Sequence, residues 1–168
     1  MKVLDLLVRE HSLFRKLLNQ LERDLEHKEE RACTEIEGGL KTLLPALSRH
    51  EEIEDMVFKC PPDAPYDNGE PIAEVEETLR SISALREEIL YALEQAEECP
   101  FERYKALTTF LIDNLRDHLN TEETRLWPLY RGCLSRSLSH TLANHLERRV
   151  KVLERELNRG MAAISLPA

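Results

Sequence analysis

Two stretches of this chain carry one pattern: His50-Glu51-Glu52-Ile53-Glu54-Asp55 and His118-Leu119-Asn120-Thr121-Glu122-Glu123 both read His-x3-Glu-acid, with hydrophobic residues and a proline following. A spacing of four puts imidazole and carboxylate one helical turn apart on the same face, able to bind one ion or two adjacent ions. Both pairs also fall where a core residue belongs. Leu107, Leu111, Leu115, His118 and Glu122 follow one another by steps of four and three, as do Ile36, Leu40, Leu43, Leu47, His50, Glu54 and Val57. Burying these groups is costly unless new bonds offset the lost hydration, so the pattern calls for a ligand. Imidazole and carboxylate without thiolate suit iron, manganese or zinc, iron first, and Glu54 and Glu122 on opposing helices are placed to bridge a metal pair.

The elements that must position these residues are helices. From Val3 to about Lys28 a stripe of Leu4, Leu7, Val8, Phe14, Leu18, Leu21 and Leu25 is interrupted by one polar residue, His11. The second helix is expected from about Arg31 to Phe58, with Pro45 inside it as a bend, and Cys60–Pro71 reads as a loop. A third helix, about Pro71 to Glu98, carries Ile72, Val75, Leu79, Ile82, Leu85, Ile89, Leu93 and Ala96 and no histidine. The fourth runs from Phe101 through Leu126. Short connections between them predict an up-down-up-down four-helix bundle. In it His11, His50 and His118 each lie about eight residues from the same bundle end, or ~12 Å at ~1.5 Å per residue.

A final stretch, Leu134 to Asn158, shows Leu138, Leu142, Leu146, Val150, Leu153 and Leu157 on one face, and is expected as an additional C-terminal helix that covers the bundle or pairs with a second copy as a homodimer. His140 and His145, five apart on it, and His27 at the far end read as surface histidines.

Composition agrees with an all-α fold in one domain over residues 1–168, the bundle filling about 3–130. The chain has 5 glycines and 33% charged residues, and it lacks alternating or β-branched runs. A net charge of −9 argues against a nucleic-acid partner or an anionic membrane surface. There is no signal-peptide layout and no run of apolar residues long enough to span a bilayer, which predicts a cytoplasmic protein. Cysteines 33, 60, 99 and 133 are too few and too scattered for a disulfide framework or a CxxC site, and read as free thiols.

With Glu10-His11, HEEIED from His50, and HLNTEE from His118 running on to Leu126-Trp127-Pro128-Leu129, the chain resembles the hemerythrin-like family of cation-binding four-helix bundles over roughly Val3 to Tyr130. The resemblance implies a non-haem centre of two irons with carboxylate and oxygen bridges, acting on dioxygen, nitric oxide, peroxide or iron itself. It would assign His11 and His50 to one metal, His118 to the other, and Glu54 and Glu122 as bridges. The family's third helix usually supplies one or two histidines, and Leu79 stands at the corresponding place here. Glu51, or Glu76 on the third helix, could complete the second position. An open position, a single ion, or zinc in place of iron also fits this ligand count. The absence of a two-histidine third helix and of an aspartate in the last motif resembles the branch that senses or handles iron more than the oxygen carriers. No dedicated general acid is identifiable, so a binding protein is expected over an enzyme. A metal-poor bundle kept as an interaction module is the alternative that Leu79 favours. Trp127 and Phe58 are expected to plug the metal end of the core.

Overall fold

The computed structural model describes residues 3–26, 30–57, 70–94, 101–130 and 140–164; within these, the side chains of 30–33, 53, 55–57, 70–72, 74–76, 93–94, 140–142 and 156–164 lie outside the description. Everything described is helical, with no strand among the described residues. The elements are α1 (Val3–Glu26), α2 (Glu30–Val57), α3 (Glu70–Glu94), α4 (Phe101–Thr121), a π-helical turn (Glu122–Leu126) that continues α4 into a last helical turn at 127–130, and α5 (His140–Ile164). The expected Cys60–Pro71 loop, Phe58 and the side chains of all four cysteines fall outside the described residues. No described helix is long and apolar enough to cross a membrane.

The stripe on α2 is buried as its spacing predicts, with Ile36, Leu40, Leu43, Leu47, His50 and Glu54 all inside. The helix runs through Pro45, whose ring faces outward. On α1 the buried arc is wider than the expected stripe: Val3, Leu6, Leu13 and Leu17 are inside as well, whereas Val8 is half exposed. The reason is α5, which packs on α1 in addition to α2 and α4, so α1 is covered on more of its circumference than a four-helix bundle would cover it. Leu146, Val150 and Leu153 of α5 are buried in this way, and Arg9 Nε donates to Glu154 Oε1 at 2.8 Å across the same interface. Among the described side chains of α3, Ile82, Ile89 and Ala92 are the fully buried ones, and Leu90 and Tyr91 face outward.

Close packing of α1 on α2 depends on Gly39. A Cβ there would stand 2.6 Å from Leu21 Cδ2 and 3.3 Å from its Cγ, inside the van der Waals limit, while one at Gly38 would meet nothing within 4 Å.

The apolar core is in two parts. The larger, from Leu13 and Phe14 through Leu47, Leu115 and Leu119, fills the body of the bundle. The smaller joins Val3, Leu6 and Leu7 to Leu126, Trp127, Tyr130 and Leu146. His11 on α1 and Glu122 in the π turn fall between the two, and His118 stands beside Leu119 at the edge of the larger.

Candidate metal centre

His11, His50, His118 and Glu122 have no exposed surface and Glu54 has 4%. Five ionisable side chains therefore form one dry layer across α1, α2 and α4. The imidazole Nε2 atoms all turn to its middle. His11 Nε2 and His50 Nε2 are 3.1 Å apart. Glu54 Oε1 lies 3.1 Å from His50 Nε2, and Glu122 Oε2 lies 3.3 Å from His11 Nε2 and 3.9 Å from His50 Nε2. These four residues each offer an atom within 4.8 Å of the others. The remaining oxygens face the other way: Glu122 Oε1 is 3.1 Å from His118 Nε2, and Glu54 Oε2 is 3.9 Å from it. Each carboxylate thus divides its two oxygens between two foci, one built on His11 and His50 and one on His118. Donors ~2.1 Å from a common ion stand ~3.0–3.4 Å from their neighbours; at the first focus three pairs stand at 3.1–3.3 Å and a fourth at 3.9 Å.

The backs of the three rings are held. His50 Nδ1 is 3.0 Å from Glu10 Oε2 and His11 Nδ1 is 2.9 Å from Glu123 Oε1. Arg149 of α5 donates to Glu10 Oε1 at 3.2 Å, and Arg15 donates to Glu123 Oε1 at 2.6 Å. Both carboxylates sit below the ordinary range. For Glu10 burial pushes upward but the bond to His50 and the charges of His50, Arg149 and His11 outweigh it; Glu123 is held at about 2, where burial is outweighed by the bonds to His11 and Arg15. An ionised carboxylate only accepts, so both Nδ1 atoms carry the proton, and in the neutral rings both Nε2 atoms present lone pairs. Two lone pairs facing each other at 3.1 Å require a cation between them, a proton or a metal. The third ring differs: His118 Nδ1 meets the Thr78 hydroxyl of α3 at 3.0 Å.

The charges of the layer are strongly shifted. Glu54 is pushed up to about 7, by burial first and by the neighbouring Glu122 charge next. Glu122 is held well below the carboxylate range, the close approach of His11, His118 and His50 outweighing its burial. His50 is raised well above the imidazole range: burial opposes this, and Glu54, Glu10 and Glu122 prevail. His118 is raised by Glu122 and Glu54, again against burial. Without a metal, protons must hold the layer together, and they do so incompletely. Both oxygens of Glu54, both of Glu122 and Nε2 of His118 are buried with no partner in hydrogen-bond geometry. Such atoms cost about 1–3 kcal/mol each, and a divalent cation at each focus would satisfy them together. The donor set fits a metal.

Glu51 is placed elsewhere than expected. One residue on from His50 turns it ~100° around the helix, toward α3, where Arg86 Nη1 donates to Glu51 Oε2 at 3.0 Å and to Ser48 Oγ at 2.9 Å. The cause is simple: the Arg86 guanidinium already pairs with this carboxylate outside the layer. Glu76's side chain is outside the described residues. Leu79 is partly buried against the smaller apolar cluster. Trp127 is 4% exposed and its ring centroid lies 4.5 Å from that of His11, so it does wall the metal end. Phe14 closes the other side, 5.1 Å from His50.

Reading the sequence alone missed the outer partners Glu10, Glu123, Thr78, Arg15 and Arg149. The adjacency of Glu10 to His11 and of Glu123 to Glu122 is the one signal available for two of them. It also missed the π turn, in which Trp127 N–H donates to Glu122 O. Here a signal existed: His118, Glu122, Leu126 and Tyr130 are spaced by fours throughout. At ~100° per residue an α-helix would carry Tyr130 ~120° away from His118, and one extra residue in a wide turn removes most of that drift. The turn keeps Glu122, Leu126, Trp127 and Tyr130 all buried.

An all-helical bundle with a buried histidine–glutamate layer is the architecture of a metal-binding helical protein. The model of the hemerythrin HHE cation-binding domain matches residues 2–130, and the chain belongs to that family. No curated protein and no solved structure matches it.

Proposed function

We propose that this chain is a non-haem iron protein that holds two irons, one at each focus, and uses them to meet dioxygen, nitric oxide or peroxide, or to report on iron. The observation that carries the reading is the division of four buried, unpartnered carboxylate oxygens between two sets of imidazole nitrogens. His11 and His50 would hold one ion, His118 the other, with Glu54 and Glu122 spanning both. Iron, when bound, supplies a redox-active Lewis acid. The chain's own residues do the rest. Glu10 and Glu123 fix the tautomers of His50 and His11, and Trp127 and Phe14 exclude water. The Leu79 position leaves the His118 focus with fewer protein donors, which supports a vacant coordination place for a small ligand over reversible carriage of oxygen. The cytoplasmic setting is part of the same proposal.

Anaerobic reconstitution with ferrous iron tests it. The expected result is two irons retained per chain after desalting, and a near-ultraviolet band that grows when air is admitted. Less than one retained ion per chain, with zinc retained no better, would sink the proposal.

One observation favours a second reading, a single four-coordinate ion such as zinc: His11, His50, Glu54 and Glu122 already form a complete two-nitrogen, two-oxygen set. It predicts one zinc per chain and no change in that number on losing His118.

A further inference from the structure

Outside the layer, a groove of about 340 Å³ opens where α5 crosses α1 and α2. Its polar lining is basic: Arg49 from α2, and His145, Arg148 and Arg149 from α5. In a chain of net charge −9 this is an anomaly. Glu10 is the acid of the lining, and it is already bonded to both Arg149 and His50. Glu52 is near enough to act on Arg149 but does not line the groove. Arg49 and Arg148 are both exposed and have no hydrogen bond or ion pair with any described residue. Arg49 also stands close enough to Arg149 for the two cations to repel. Two guanidinium groups with no bonded acid, set beside a third, are arranged for an anion that arrives from outside.

The remaining lining is apolar. Ala46 and Leu153, each 3% exposed, form the floor, and Val152, 44% exposed, stands at the rim. A bare inorganic anion would have no use for that floor. The volume lies at the small end of ligand pockets.

We propose that this groove binds a small organic anion, with a carboxylate or phosphate head held by Arg49 and Arg148 and a short apolar body laid on Ala46, Leu153 and Val152. The site is separate from the metal layer and does not depend on which metal is held, although Arg149 touches both through Glu10.

Calorimetric titration of the metal-loaded full chain with hexyl phosphate, hexanoate and inorganic phosphate tests this. Hexyl phosphate or hexanoate should bind saturably, and inorganic phosphate more weakly for want of an apolar body. Removing one guanidinium should weaken binding on the order of tenfold, and both together more. Arg49→Glu with Arg148→Glu should therefore abolish binding at concentrations that saturate the unaltered chain, and each single reversal should weaken it, whereas Arg103→Glu, a charge change equal to either single reversal on the exposed face of α4, should not. Val152→Ser should weaken hexyl phosphate and leave inorganic phosphate unchanged. No saturation by either organic anion up to ~1 mM, equal losses in the Arg103 variant, or equal affinity for the bare and the alkyl phosphate would each overturn the proposal.

Discussion

Replacing His118 by alanine separates the two foci. Its Nε2 is 3.1 Å from Glu122 Oε1 and 3.9 Å from Glu54 Oε2, and it has no contact at this range with the His11 and His50 side of the layer. The variant should lose one ion and keep the other, because all four donors of the first focus remain. At free metal ~100-fold above the dissociation constant, each bound ion stabilises the native state by ~2.7 kcal/mol, so two contribute ~5.4 and one ~2.7. For a domain of this size 1 kcal/mol moves the midpoint by ~2–4 °C. The metal-dependent rise in Tm should therefore fall from ~11–22 °C to ~5–11 °C. The comparison must be between loaded and metal-free forms of the same variant, since truncating a fully buried ring also destabilises the metal-free chain. Iron analysis after gel filtration counts the ions, and far-ultraviolet circular dichroism gives both midpoints. A His118→Ala chain that keeps both ions with an unchanged shift would falsify the division into two foci. So would one that keeps none, because a single shared site fails as a unit.

Glu122→Ala removes an oxygen from each focus, and should lower the count at both, seen as the loss of nearly all retained iron where His118→Ala keeps half; retention of one ion would show that Glu122 does not span them. Metal affinity should fall with acid: Glu54, raised to about 7, is protonated below that pH in the metal-free protein and must release its proton to bind. The sign for the metal-free fold is opposite, since a carboxyl raised above its unfolded value makes the native state lose stability as pH rises from about 4.5 to about 7. Competition titrations should thus give a rise in apparent affinity of at least about tenfold between about pH 5.5 and 7, and a flat profile would contradict the buried, proton-competent carboxylate. Gly38→Ala should stabilise the fold by about 0.5–1 kcal/mol through helix propensity, while Gly39→Ala, which drives a methyl against Leu21, should cost about 1–3 kcal/mol of overpacking against that same gain; equal chemical-denaturation midpoints for the two would remove the close approach of α1 and α2 from the account.

The fold and the buried histidine–glutamate layer were legible because both rest on periodicity. The stripes of α2 and α4 dictate which side of each helix is buried, and a histidine or glutamate on such a stripe is visible as an exception. The wider burial of α1 was not legible, because it depends on where α5 lies, and a helix's own pattern does not say how many neighbours it will have. The fate of Glu51 was hidden for a similar reason. One step around the helix decides whether it meets the layer or Arg86, and Arg86 is 35 residues away in sequence. The outer partners illustrate the general limit: Thr78 and Arg149 become relevant only through contacts spanning 40 and 139 residues.

The same outer partners make the two foci unequal. His11 and His50 are each backed by an ionised carboxylate, which fixes the proton on Nδ1 and makes Nε2 a stronger donor. His118 is backed by the neutral hydroxyl of Thr78, which can donate or accept and so does not fix the tautomer. The first focus also has two imidazoles against one. Helix α3, which contributes Leu79 to the apolar wall, gives the second focus an orienting contact in place of a ligand. Loading should therefore be stepwise, the first ion entering at His11 and His50. Ferrous titration followed by calorimetry should resolve two phases with affinities separated by at least about tenfold, the range associated with outer-partner changes. Thr78→Val should weaken the second phase alone, and Glu10→Gln the first. A single phase of two equivalent ions, or a Thr78→Val variant that weakens the first phase, would show that the polarity of these backing groups does not set the order of binding.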